Sequence, residues 1–312
     1  MGVVAEIPSH EKDLGGGLRV RRVLPSLARQ SVGPFLFFDH FGPLAVDPAA
    51  DIDVRPHPHI GLATVTYLFN GALLHRDSLG NTQRIEPGAI NWMTAGRGIV
   101  HSERRPDDLR AERFALHGLQ LWAALPRELE EVSPGFAHTP AADLPTFREK
   151  GIDGRVLIGS ALGLSSPVAA ASPTVYVTFA LVAGAAMQLP VLAPQLGLYV
   201  VEGGVEIDGR AVERGTLAVV DADRPARVVT DRGARFVAIG GEPLDGRRLM
   251  WWNFVATHKE RIVAAAADWE AGRLGRIDGD DSFIPLPDKR PELQRRQLWR
   301  RNGVWPLRLS DA

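Results

Sequence analysis

A short strand-and-turn pattern occurs twice in this chain, about 130 residues apart, and that repetition narrows the fold to a duplicated β architecture. Tyr67-Leu68-Phe69-Asn70-Gly71 is echoed by Tyr199-Val200-Val201-Glu202-Gly203. Ile85-Glu86-Pro87-Gly88 is echoed by Val212-Glu213-Arg214-Gly215, and an apolar strand follows each. β-Branched and aromatic runs closed by a glycine dipeptide read as strands ending in tight turns. In the first copy residues 65–69 form a strand, Asn70-Gly71 its turn and Leu73–Asp77 its hairpin partner. Residues 89–93 and 99–103 are the next two strands, separated by the bend Thr94-Ala95-Gly96-Arg97-Gly98. With 32 Gly and 23 Pro distributed between such runs, the expected fold class is all-β, as two β-barrel or jelly-roll domains. The expected division is 1–132 and 133–312, with the joint in the Pro- and charge-rich stretch 126–145. A short C-terminal helix spans 259–272: Ile262, Val263, Ala266 and Trp269 share one face and Gly272 stops it.

The first copy carries something the second lacks. His57-Pro58-His59 and His101-Ser102-Glu103 each place two ligand-type side chains at i and i+2, on one face of a strand. Three imidazoles and one carboxylate suit iron, manganese, nickel, copper or zinc, and leave positions open for water, dioxygen or substrate. His57, His59, His101 and Glu103 are therefore the candidate ligands of one divalent transition metal per chain. With the copies aligned, Leu189 and Val191 fall on His57 and His59, and Val228 and Thr230 fall on His101 and Glu103. The second domain is expected to keep the scaffold and hold no metal.

Composition removes several other classes. The 312 residues include no cysteine, so disulfides, thiolate ligands and a cysteine nucleophile are excluded. A formal net charge of −1 argues against whole-protein attraction to nucleic acid or to a membrane surface. The most apolar stretch, 175–194, contains Gly184, Gln188, Pro190 and Pro194 and reads as two buried strands around a turn. The first residues lack the basic start and apolar core of a signal peptide, so a cytoplasmic location is expected. No nucleophile elbow occurs, and Gly15-Gly16-Gly17 precedes a strand instead of the helix of a phosphate loop.

Other side chains have weaker claims. His40 and His75 are candidate outer partners that orient a ligand or substrate. His117, His138 and His258 read as structural or surface residues, and Trp92, Trp251 and Trp252 as packing. Lys289, Arg290, Arg295, Arg296, Arg300 and Arg301, with Trp299 and Trp305, form a basic aromatic tail that reads as a solvated surface helix.

The motifs together resemble the pirin family of the cupin superfamily. The likeness is carried by His57-Pro58-His59-Ile60-Gly61, Thr64-Val65-Thr66-Tyr67-Leu68, Asn91-Trp92-Met93-Thr94-Ala95-Gly96-Arg97-Gly98 and His101-Ser102-Glu103. Phe37-Phe38-Asp39-His40-Phe41-Gly42 and Trp251-Trp252-Asn253-Phe254-Val255 extend it over most of the chain to about residue 287. The resemblance implies a bicupin with iron in its N-terminal domain, held by His57, His59, His101 and Glu103; copper, manganese, nickel or zinc are the alternatives. It implies a dioxygenase that cleaves flavonols such as quercetin, a small aromatic substrate; Glu103, the only carboxylate among the four ligands, is the candidate base. Phe35, Phe37, Phe41 or Leu68 would supply the apolar wall. The rival implication is a metal-containing regulatory protein that acts through a protein partner without turnover. Two departures stand out: Ala63 replaces a glutamate that many pirins have, and the Arg-rich tail after Asp288 extends past the usual pattern.

Overall fold

The turn at Asn70-Gly71 forms, with Gly71 at φ +83°, yet it closes no hairpin. In the computed structural model, which describes residues 2–14 and 18–289, Leu62–Asn70 pairs with Ile90–Thr94 and Phe114–Ala124. Leu73–Asp77 instead pairs with Ile99–Arg104 and Thr82–Ile85. The chain crosses from one sheet to another here. A Cβ on Gly71 would meet the Ala115 carbonyl oxygen at 2.5 Å, so the crossing backbone has room only for glycine. Alternation of side chains decides which face a strand buries, and leaves open which neighbour it takes. Gly15, Gly16 and Gly17, and the tail residues Arg290, Arg295, Arg296, Trp299, Arg300, Arg301 and Trp305, lie outside the described residues.

The first copy is a seven-stranded sheet packed against a four-stranded one. The larger runs Gly135–Thr139, Ile90–Thr94, Leu62–Asn70, Phe114–Ala124, Phe35–Val46, Arg19–Leu24, His10–Asp13. The smaller runs Val54–His59, Ile99–Arg104, Leu73–Asp77, Thr82–Ile85. In the second copy one long strand, Gln195–Ile207, does the work of two. Its first part pairs with Thr216–Val220 and Ala234–Gly241, its last with Arg210–Glu213 and Ala226–Val229. Each copy also takes a strand from across residue 132. Val3–Pro8 pairs with Thr216–Val220, and Gly135–Thr139 pairs with Ile90–Thr94. The apolar stretch of the second copy forms two strands around Gly184, but only Thr174–Leu181 is buried as expected; in Ala186–Leu189 Leu189 alone is buried, because this strand pairs at the outer edge of its sheet.

Strand register corrects the alignment of the two copies. His75 stands opposite Glu103, and its counterpart Ile207 stands opposite Val228. His101 stands opposite His57, and Ala226 stands opposite Leu189. Leu189 therefore keeps its expected place, but Ala226 and Val228 occupy the positions of His101 and Glu103, in place of Val228 and Thr230. The second copy spends two fewer residues before this strand. A slip of two returns every side chain to its own face, so an apolar–polar pattern cannot detect it.

One core joins the copies, with Phe35, Phe38, Val65 and Tyr67 packing against Tyr176, Tyr199, Val237 and Ile239. The second copy has a continuous apolar interior that includes Phe179, Leu189, Val200, Val228 and Phe236. The interior of the first copy is split. Phe41, Leu68 and Leu116 fill one end, and Leu36, Met93 and Trp122 the other. Thr64, Thr66, Asn91, His57, His59 and His101 are buried as well. The helix forms over Lys259–Glu270 and buries Ile262, Ala265 and Ala266 against Ile60, Trp251 and Phe254. Among the described residues no helix is long and apolar enough to cross a membrane.

Candidate metal centre

His57 and His59 sit on Val54–His59, which is an edge strand, and that explains Pro56 and Pro58 between and before them. Proline lacks the N–H that a central strand must donate, so an edge tolerates it. The exposed edge is then covered from the far end of the chain. Ile284 N–H donates to the Pro56 carbonyl at 2.9 Å, and Ile60 bridges to Phe254. Gly61 makes that covering possible, since a Cβ there would lie 2.0 Å from the Val255 carbonyl oxygen. His101 lies on the central neighbour, Ile99–Arg104, directly opposite His57. The register shifts between His101 and Glu103, an irregularity of the kind that re-aims side chains beside a site.

The structure gathers three of the four expected ligands into one cluster. One ligand nitrogen from each of His57, His59 and His101 lies within 4.8 Å of the others, and all three residues are buried. Glu103 is outside that cluster, with its Oε1 3.7 Å from His101 Nδ1. His57 Nδ1–H donates to the Arg55 carbonyl at 2.8 Å, and His59 Nδ1–H to the Asn253 carbonyl at 3.1 Å. Both bonds leave Nε2 unprotonated, as a metal ligand must be. His101 Nε2 is buried and has no hydrogen-bond partner at all. A partnerless buried nitrogen facing two free imidazole lone pairs fits a cation, and the donor set suits a borderline transition metal.

Electrostatics favour the ligating state. Burial pulls His57 down to about 4, and it holds His59 and His101 well below the ordinary imidazole value, with the neighbouring imidazoles adding repulsion. All three are neutral at physiological pH. Burial pushes Glu103 the other way, up to about 7 in the metal-free chain.

The surrounding residues sort the weaker candidates. His75 is an outer partner as expected: its Nδ1 is 3.5 Å from His101 Nδ1, and its Nε2 is 3.1 Å from Asp77 Oδ2. Asp77 is itself fixed by the Leu79 N–H and by Asn81, and the His75 ring stacks on Phe136 at 4.2 Å. His40 is elsewhere, between the copies, with Nδ1 2.8 Å from Tyr199 Oη and Nε2 2.8 Å from His117 Nε2. His117, expected to be structural, is its buried partner. Of the expected apolar wall only Phe37 reaches the site, stacked on Trp122, whose indole meets His59 edge-on at 5.0 Å. Phe35 belongs to the core between the copies, and Phe41 and Leu68 to the far end of the first copy. Ala63 packs in the core between the copies, on the strand face opposite Thr64, so a longer side chain there points away from the histidines.

Trp122 and Asn253 were not among the sequence candidates. Asn253 acts through its backbone carbonyl, which leaves no trace in residue type. Trp122 alternates with Leu121 and Ala123 and looks like ordinary core; its signal is the pairing of its strand with Phe35–Val46, which only the fold supplies.

Comparison with known proteins agrees with this architecture. The pirin model matches residues 17–123, and the pirin C-terminal cupin domain model matches 176–275. A pirin-like protein of Caulobacter vibrioides is 44% identical, over 90% of this chain and 98% of its own. A crystal structure of quercetin 2,3-dioxygenase from Acinetobacter baumannii is 33% identical with a TM-score of 0.86, covering 94% of this chain and 97% of that one. A bacterial pirin from Escherichia coli, solved in complex with nickel(II), shares the fold at 19% identity and a TM-score of 0.61, over 77% of this chain and 99% of its own. Two matching family models on two copies of one strand order, with the histidine cluster in the first copy alone among the described residues, make this chain an all-β bicupin of the pirin family.

Proposed function

We propose that this protein is a mononuclear metal-dependent dioxygenase that opens the central ring of flavonols, with quercetin as model substrate. The observation that carries the reading is the neutral histidine trio with its partnerless buried Nε2. The 33% identity to a quercetin 2,3-dioxygenase over nearly the whole chain supports the substrate class. Iron is the metal assigned first; copper, manganese, nickel and zinc suit the same donors. His57, His59 and His101 would hold it through Nε2, with Glu103 as the fourth ligand. Held there, such an ion would supply Lewis-acid polarisation.

The chain's own residues do the rest. Burial of the trio keeps water from the reacting centre. Trp122, backed by Phe37 stacked on its ring, is the apolar side chain that bounds the site beside His59. Glu103 places a carboxylate beside His101 and takes the proton of the flavonol 3-hydroxyl. In the balanced reaction the two atoms of dioxygen end on C2 and C4, both carbon–carbon bonds to C3 break, and C3 leaves with its own oxygen as carbon monoxide. No external reductant is required.

Aerobic incubation of metal-loaded protein with quercetin tests this. Oxygen uptake, loss of flavonol absorbance and carbon monoxide release are expected in equal amounts, and Glu103→Gln is expected to lower kcat by about 100-fold or more. Fully metallated protein that takes up no oxygen beyond free metal, across several flavonols, would end the dioxygenase reading. The regulatory alternative, a metal-containing protein acting through a protein partner, would then take its place.

A further inference from the structure

A cleft of about 650 Å³ lies between the copies, and none of its lining residues belongs to the metal centre. Its floor is one face of a sheet. Thr146, Arg155 and Thr178 stand in one register row across three strands, and Arg148, Asp153, Ala180 and Arg235 in the next. Residues in register, and those two apart on one strand, project to the same side. The opposite wall comes from the first copy: Tyr67, Phe69, Pro87 and Gly88.

The charge on this floor is unbalanced. Arg148 is neutralised by Asp153 at 2.6 Å. Arg155 has no carboxylate within ion-pair distance among the described residues. Its Nη1 donates to the Gly88 carbonyl at 3.0 Å, it lies in hydrogen-bonding contact with the Tyr67 hydroxyl, and its Nε is buried without a partner. Arg235 has only Glu202, at 3.5 Å and itself half-exposed, and its guanidinium lies over the Phe69 ring at 5.2 Å. Two guanidiniums thus flank the Thr178 hydroxyl on one face. Their backbones are two strands apart, about 10 Å in the hydrogen-bonding direction. That spacing suits a ligand larger than a bare anion. A planar fork matches a carboxylate or phosphate, and an Arg-backed aromatic ring matches a flat body.

From this arrangement we infer that the cleft is a second binding site, for a small organic oxyanion: a carboxylate or phosphate carried on a planar ring. Arg155 and Arg235 clamp the oxyanion, the Tyr67 hydroxyl, held by Thr178 and Arg155, donates to it, and Phe69 covers the ring. The occupied cleft touches both copies, so the ligand also bridges them.

Calorimetric titration with phenyl phosphate, benzoate and inorganic phosphate tests the inference, on the full chain and on His101→Ala. The second protein removes coordination of the probe at the metal centre. Saturable one-to-one binding of phenyl phosphate or benzoate to both proteins is expected, and whichever binds more tightly names the source of the oxyanion. Arg235→Gln and Arg155→Met are each expected to weaken it roughly tenfold or more, the loss of one charge-assisted fork. Phe69→Ala should weaken the aryl probes and leave inorganic phosphate unchanged. Arg155 also ties the copies together through Gly88, so Arg235→Gln, at a more exposed position with an unchanged melting curve, is the decisive variant. The inference is overturned by any of three results: no saturable binding up to millimolar probe; binding unchanged in Arg235→Gln, whether or not His101→Ala loses it; or equal affinity for inorganic phosphate and phenyl phosphate.

Discussion

Where the first copy has buried His57 and His101 and a half-buried Glu103, the second buries Leu189, Ala226 and Val228 at the same register positions. The strand order around both is the same, so the two interiors are one scaffold filled in opposite ways. The apolar filling yields a single continuous core. The histidine filling divides the core of the first copy into two clusters, at a cost of about 1.5–3 kcal/mol for each large apolar side chain that is not there to be buried. The first copy is held by what surrounds it. The shared core fastens it to the second copy, and the segment Leu249–Ala256 with its helix closes over the ligand strand. The second copy is thus a buttress in which apolar packing fills the ligand positions.

The largest effect expected is all-or-none, in metal content. Purified protein should carry one equivalent of transition metal per chain, and His101→Ala should carry none after gel filtration, since it removes the nitrogen with no other partner. Elemental analysis decides it. Two equivalents per chain would mean that the second copy binds metal despite Leu189, Ala226 and Val228, and the contrast between the interiors would collapse.

Next in size is Ala63→Glu. Ala63 is fully buried in the core between the copies, opposite Ala123 and Thr94. An unpaired carboxylate there should cost at least about 3 kcal/mol in urea unfolding, while the metal content of the folded fraction stays the same. Normal stability with altered metal affinity would show that position 63 faces the histidines.

The trio is legible in the sequence because i, i+2 spacing on a strand is geometry: once residues 57–59 and 101–103 are extended, the side chains share a face. Strand limits such as Leu73–Asp77 follow from the same alternation. Pairing does not, because it depends on loops. The missed crossover at Gly71 and the two-residue slip at Ala226 are both errors of connection between correctly placed strands. His40 shows the complementary limit. Nothing local separates it from His75, and only the packing of the second copy sends one to Tyr199 and the other to His101.

A smaller effect should appear in the pH dependence of the joint between the copies. Burial first, and then repulsion from neighbouring arginines including Arg21, lowers His40 to about 2 and His117 to about 4, from 6.5. Below 6.5 the unfolded chain binds protons that the folded chain refuses, so stability falls as pH drops and is flat above. Around pH 5 each imidazole costs about 2 kcal/mol. Urea unfolding across this range should give a shallower slope for His40→Gln than for the natural protein. Equal slopes would mean that the His40–His117 pair is not held neutral between the copies.

The smallest effect expected is on folding when a ligand is removed. In metal-free protein, His59→Ala should cost only about 1 kcal/mol, the bond to the Asn253 carbonyl. The imidazole is polar and neutral, and the Asn253 carbonyl with the neighbouring His57 and His101 can hold a water in its place. Phe236→Ala in the second interior, by contrast, opens a cavity in a dry core where Phe236 stacks on Phe179 at 4.8 Å, and should cost about 3–5 kcal/mol. Added metal separates the two further. A ligand present at a thousand times its Kd stabilises the natural protein by about 4 kcal/mol and should leave His59→Ala almost unmoved. Phe236→Ala, whose site is intact, should recover by the full amount. If metal-free His59→Ala instead loses as much as Phe236→Ala, the histidines are core residues first and ligands second, and the two interiors are less different than their sequences make them.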